Sequence, residues 1–299
     1  MSCTPEHRTD ISTPSTSHQE NCSRIRRMYL TSATPTDTPR GTTMTIPLKE
    51  ITGQSFTCAL SITSGSPIAV EIASSIGFGA LVVDAQHGPV SPYSHEMASM
   101  IRAAGATSTP VFVRLPESTP GCINRALNDG VAGVIVPHIS TPEDARAVAD
   151  ASRYPPVGVR GAAPVVRAAG YGTRDWDEYQ HESTHQRMVL CLLSSRSAVL
   201  NAEAIVKTPG IDGIVLDIAT LAREADDDSA TPSVIPDAVA AAELAGRHGA
   251  TCGAVVRDER GAKQWKSVGC NLVVVESDTS VALQAMTNAL NVLKGAVTV

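Results

Sequence analysis

The stretch Ala80-Leu81-Val82-Val83-Asp84-Ala85-Gln86-His87 decides how this chain is read. Four aliphatic residues end abruptly in an acid, an amide and an imidazole. Such a run fits a buried strand that delivers polar groups to a site, because parallel α/β folds gather their chemistry at the carboxyl ends of strands.

Similar short aliphatic runs occur at 57–62, 111–114, 133–137, 188–194, 213–217, 252–256 and 272–276. Amphipathic stretches of helical length lie between most of them, as at 67–76, 93–104, 142–151, 198–206, 236–248 and 281–293. Eight strands interleaved with helices predict an α/β fold, a single (β/α)8 TIM barrel over 45–299. A doubly wound open sheet is the alternative, but no strand run leads into a G-x-G-x-x-G turn. Helix punctuation agrees. Thr141-Pro142-Glu143-Asp144 offers an N-cap, a proline in the first turn and two acids, while Gly130 and Gly249 follow helical stretches where left-handed caps belong.

Residues 1–44 are rich in Ser, Thr and Pro without an apolar face, and are expected to form a flexible tail. The 299 residues are 42% hydrophobic but only 3% aromatic, so the core must be aliphatic and alanine-rich. A net charge of −6 without a basic block excludes a nucleic-acid or anionic-membrane surface. No apolar run approaches the ~18 residues of a membrane span. The seven cysteines show no disulfide spacing; Cys58, Cys191 and Cys252 fall in strand-like runs and are expected to be buried thiols. Arg24, Arg26 and Arg27 hint at a transit peptide, but Glu6, Asp10, Glu20 and Asp37 oppose it, so a cytoplasmic location is expected.

In a barrel, Asp84, Gln86 and His87 follow strand two, Arg114 ends strand three and His138 follows strand four. Ser194, the segment Asp217–Thr220 and Asp278 follow strands five, six and eight. An imidazole beside a carboxylate suits a general base, and an arginine at a strand end suits a carboxylate or enolate oxygen. Plainer readings stay open at this point. His87 can be a turn residue, Arg114 a barrel-end ion pair with Asp84, His138 a packing residue and Asp278 an N-cap.

At these residues the chain resembles the HpcH/HpaI aldolase family, the 4-hydroxy-2-oxoheptanedioate aldolase group that includes macrophomate synthase. The resemblance runs through Val82-Val83-Asp84-Ala85-Gln86-His87-Gly88-Pro89, Val113-Arg114-Leu115-Pro116 and Gly133-Val134-Ile135-Val136-Pro137. It continues in Arg153-Tyr154-Pro155-Pro156-Val157-Gly158-Val159-Arg160-Gly161 and Ser277-Asp278-Thr279. It implies a barrel, assembly into a homo-oligomer (trimer or hexamer) whose last helix is exchanged, and carbon–carbon chemistry through a pyruvate enolate held on a divalent metal. By that resemblance Arg114 steadies the enolate, His87 moves the proton and Asp84 is the acid beside it.

The family's metal ligands are not matched. Its Q-x-E at strand five reads Leu192-Leu193-Ser194 here, and its G-P-A-D-L reads Asp217-Ile218-Ala219-Thr220-Leu221; Gln86 stands where an acid is usual. Hard divalent cations need carboxylate oxygens. The sequence therefore predicts a metal-independent enzyme without cofactor, repurposed as a lyase or cycloaddition-type cyclase on a bulky natural-product-like small molecule. His87, Arg114 and Asp84 would be catalytic, and Gln86, Leu192, Ser194, Ala219, Thr220 and His138 would bind substrate. The alternative is a pyruvate aldolase using Mg or Mn, with Asp217 as a substitute ligand. A non-catalytic barrel is the second alternative.

Overall fold

The computed structural model describes residues 56–224 and 234–297. The tail expected over 1–44 lies outside them. Within them the predicted alternation closes into a barrel of eight parallel strands in sequence order. The strands are β1 (Thr57–Ile62), β2 (Ala80–Asp84), β3 (Val111–Arg114), β4 (Gly133–Val136), β5 (Met188–Leu193), β6 (Gly213–Leu216), β7 (Thr251–Val256) and β8 (Leu272–Val275). Around them run α1 (Pro67–Ser75), α2 (His95–Gly105), α3 (Pro120–Asn128), α4 (Pro142–Ser152), α5 (Trp176–Gln186), α6 (Arg196–Leu200) and α7 (Ala202–Val206). α8 (Ile218–Glu224), α9 (Ile235–Arg247), α10 (Glu259–Ser267) and α11 (Asp278–Val297) complete the chain.

Period-two geometry sorts each strand into two cores. Ala80, Val82, Phe112, Ile135, Leu190, Leu192, Val215 and Val274 fill the barrel interior. Leu81, Val83, Val113, Val134, Val189, Ile214 and Val273 pack outward against the helices. The scarcity of aromatics has a local consequence. Phe112 occupies the interior where β4 begins, and a Cβ at Gly133 would collide with its ring and with the Met188 carbonyl.

The same parity builds the mouth. Residues two beyond Val82, Phe112, Val215 and Val274 are Asp84, Arg114, Asp217 and Glu276, so these side chains turn into the open end of the barrel. Ladder pairing stops one residue short of several predicted run ends, at Val136, Leu193, Leu216 and Val275, because the following residues already belong to the rim.

The helices start as their sequences demand. Thr141 and Asp144 form the reciprocal capping box of α4. Gly130 and Gly249 take φ of +83° and +66° just past α3 and α9. The predicted 198–206 helix is two short helices meeting at Asn201. Cys191 and Cys252 are buried thiols, but Cys58 is exposed, because it faces outward at the start of β1 where no described helix covers it.

The Arg153–Gly161 motif lies between α4 and β5, at the end of the barrel opposite the mouth. Buried Arg153 pairs with Asp212 at 3.0 Å, and Asp212 also accepts from the Val189 amide. Buried Arg160 donates to Asn124, Asn128 and Ser183 and lies over the Tyr154 ring. Trp176 and Tyr179 pack edge-on against Tyr154 and are tilted to one another. This motif is a clamp joining α3, α5 and the starts of β5 and β6.

Candidate active site

Arg114 is the hub of the mouth. Its Nε donates to Gln86 Oε1 at 2.6 Å, and its Nη2 meets His87 Nε2 at 3.1 Å and Asp217 Oδ2 at 2.9 Å. A guanidinium has no acceptor, so His87 Nε2 is the acceptor in this contact. Nη1 has no protein partner among the described residues and is the guanidinium donor left for a ligand. The Arg114–Asp217 pair is largely shielded, with side chains 14% and 9% exposed.

Asp84 works through the backbone. Its Oδ1 accepts the amides of Gln86 and His87 at 2.9 and 3.0 Å, an Asx-type turn that aims both side chains at Arg114. The sequence reading had this acid orienting the imidazole ring; the observed contact holds the residue's main chain instead. Gly88 completes the turn, since a Cβ there would run into the carbonyl oxygens of Asp84 and Thr63. Asp217 has a second task as well, accepting the Thr220 amide at the start of α8.

These groups open into a cavity of about 400 Å³ lined by Asp84, His87, Arg114, Asp217, Ala219 and Thr220 together with Glu276. Leu192 lies deeper, buried with Val82, Ile135 and Val215 in an apolar floor beneath Arg114. Ser194 and His138 are not among the residues that line this cavity. Ser194 is half-buried beyond β5, and His138 is exposed in a left-handed turn (φ 62°) after β4. Asp278 takes the amides of Thr63 and Ser64, tying the loop after β1 to the start of α11, while the N-cap role expected for it falls to Ser277, whose hydroxyl oxygen accepts the Ser280 amide. The sequence reading overlooked Glu276, Thr63, Arg223, Ser277 and Ser280, all of which line the cavity. Strand parity was the available signal for Glu276, which follows Val274 by two positions.

Among the described residues no three His, Cys, Asp or Glu side chains are grouped to hold a metal. The carboxylates at the mouth are engaged: Asp84 by two amides, Asp217 by Arg114 and Glu276 by Nε and Nη2 of Arg257. The family's ligand pair is thus not reproduced.

A family model for HpcH/HpaI aldolase/citrate lyase matches residues 58–289. A 2-keto-3-deoxy-L-rhamnonate aldolase of Klebsiella pneumoniae subsp. pneumoniae is 32% identical over 79% of this chain and 88% of its own length. A 5-keto-4-deoxy-D-glucarate aldolase of Citrobacter koseri is 31% identical over 72% of this chain and 83% of its own. The crystal structure of an HpcH/HpaI aldolase/citrate lyase family protein from Burkholderia cenocepacia J2315 superposes with a TM-score of 0.76 at 30% identity, covering 83% of this chain and 98% of that one.

These relatives overturn one expectation. The sequence predicted an enzyme without cofactor, yet the relatives are keto-deoxy acid aldolases of a group whose members, on the resemblance above, hold their 2-oxo acid on a divalent cation. The loss of Glu and Asp at Ser194 and Thr220 removes familiar ligands, but ligand loss is not loss of the metal, and the metal-free reading is withdrawn. Carbon–carbon lyase chemistry, the barrel and the relatives agree: the chain belongs to the HpcH/HpaI aldolase/citrate lyase family.

Proposed function

We propose that this protein is a 2-oxo acid aldolase that makes or breaks a carbon–carbon bond through an enolate. The observation that carries the reading is Arg114, held on Nε and Nη2 by Gln86, His87 and Asp217 while Nη1 is left for a ligand oxygen. In the cleavage direction a 4-hydroxy-2-oxo acid loses its hydroxyl proton and the C3–C4 bond breaks. The electron pair moves onto the C2 carbonyl oxygen, where Nη1 stabilises the enolate. A fixed donor at such a charge is worth about 3 kcal/mol. His87 Nε2, beside that guanidinium, is the proton acceptor and donor, and the Asp84 turn positions it. Ala219 and Thr220 contact the remainder of the substrate, with Gln86 setting the guanidinium plane and Leu192 the apolar floor.

The cyclase reading rests on the altered rim and on the resemblance to the group that includes macrophomate synthase, whereas the sequence relatives are aldolases, and the aldol reading is the better supported. The test is turnover of pyruvate with a panel of aldehydes by the purified full chain, with Mg²⁺ or Mn²⁺ supplied. Pyruvate-dependent product that disappears in an Arg114→Leu variant is expected; a native protein without turnover across the panel, metal supplied, refutes the assignment.

We also propose that the protein is a cytoplasmic homo-oligomer. α11 exposes Val281, Leu283, Met286, Leu290, Val292 and Leu293, and the α1 segment exposes Ile68, Ile72 and Ile76 at helical spacing. An isolated subunit seldom leaves so many large apolar side chains in water. Mass in solution by light scattering is expected at three or six chains, and a monomer at micromolar concentration refutes the assembly.

A further inference from the structure

Cys252 is the second residue of β7, and Cys270 precedes β8 by two. Their Sγ atoms are 3.4 Å apart, and both side chains are buried. The pair has no part in the chemistry at the mouth, because the parallel strands place their first residues at the opposite end from Val255 and Glu276. The backbone around the pair is clamped. The Cys252 amide donates to Asn271 Oδ1 at 2.9 Å, the Asn271 amide donates to the Cys252 carbonyl at 3.1 Å, and the Cys270 amide donates to the Trp265 carbonyl at 3.1 Å. The two sulfurs therefore stay neighbours whenever the sheet is intact.

We propose that Cys252 and Cys270 form an oxidation site, a thiol pair that a hydroperoxide converts into a disulfide closing the β7–α10–β8 unit. A disulfide needs sulfurs about 2.05 Å apart, so side-chain rotation has to bring them little more than an ångström closer. One thiol, as thiolate, attacks the peroxide oxygen; the O–O bond breaks, and a sulfenic acid and water result. The second thiol's sulfur then displaces hydroxide from the sulfenic sulfur, the S–S bond forms, and its proton leaves with that hydroxide as water. Two thiols have lost two protons and two electrons, and the hydroperoxide has been reduced.

Access comes through α10. Only Trp265 of that helix is buried, so its local opening releases little apolar surface and uncovers Cys270. While it is closed, the contact with Cys270 and burial together hold the Cys252 thiol well above the ordinary thiol range, and the pair stays reduced. Exposed Cys58 is the internal comparison: it is open to oxidant but touches no described cysteine.

The experiment treats the full-length protein with hydrogen peroxide, in buffer and in urea below the unfolding transition, then alkylates free thiols after denaturation. Trypsin cuts at Arg257, Arg260, Lys263 and Lys266, so a Cys252–Cys270 link joins two separate peptides. That linked pair is expected as the dominant intramolecular disulfide, with a rise in Tm that dithiothreitol reverses. Cys270→Ser and Cys252→Ala should each abolish both signals. The proposal is overturned if both cysteines are recovered alkylated under conditions that consume Cys58, if they link equally to other cysteines, or if oxidation lowers Tm.

Discussion

Replacing Arg114 by leucine separates its two tasks. The substitution removes the donor aimed at the enolate and leaves Asp217, with its side chain 9% exposed, without its cation. Losing one oxyanion donor is worth about 3 kcal/mol, which is roughly a 150-fold fall in kcat/KM. The stability effect has a different origin. At 2.9 Å the pair sits close enough for a charge-assisted bond, and breaking a shielded ion pair from one side typically destabilises by about 3–5 kcal/mol. For a domain of this size that is a drop in Tm of about 6–20 °C. The double variant Arg114→Leu/Asp217→Leu removes both charges, and most of the lost Tm is expected to return while activity does not. Thermal melts and steady-state aldol kinetics on the three proteins read both quantities. If Arg114→Leu keeps kcat/KM within about threefold of the parent, Arg114 is not the enolate donor. If the double variant melts as low as the single one, the pair is not what stabilises the mouth.

Three further outcomes follow from the geometry. His87→Ala is expected to lower kcat by about 10²–10⁴-fold with little change in Tm, as for a lost general acid–base; a fall confined to KM would make His87 a binding residue only. Mg²⁺ or Mn²⁺ is expected to raise turnover but to dissociate readily, because any cation must compete with Arg114 for Asp217 and with Arg257 for Glu276; tight stoichiometric metal in the purified protein would contradict this. Asp144 tests the α4 cap. Partial burial opposes its ionised form, but the Ser140 amide and the Thr141 hydroxyl and amide outweigh that, and its carboxyl lies below the ordinary aspartate value. A lowered folded-state pKa gives stability that is fully present above the unfolded-state value and is lost as pH falls through the folded-state value. Asp144→Ala should thus cost about 1 kcal/mol near neutrality and progressively less in acid, read by urea melts; a difference that does not shrink in acid would refute the cap's role.

The sequence by itself determined the barrel and most of the mouth. Strand parity is a property of the local chain, and an apolar run ending in Asp84 or Arg114 places that side chain on the same side as Val82 or Phe112 whatever else the chain does. The Thr141–Asp144 cap was legible for the same reason, its partners being three residues apart. Tertiary structure decided what those side chains do once they arrive. Arg114 and Asp217 are 103 positions apart, and only closure of the sheet makes them a pair and turns a candidate metal ligand into the anchor of the guanidinium. Asp84 could bind a ring or an amide equally well from its sequence, and the turn geometry settled on the amides. Asp84 is still part of β2, whereas Ser194 and His138 lie just beyond β5 and β4, where strand geometry no longer fixes the side chain, and neither lines the cavity. Cys252 and Cys270 likewise became neighbours through the pairing of β7 with β8, a contact that no spacing in the sequence announces.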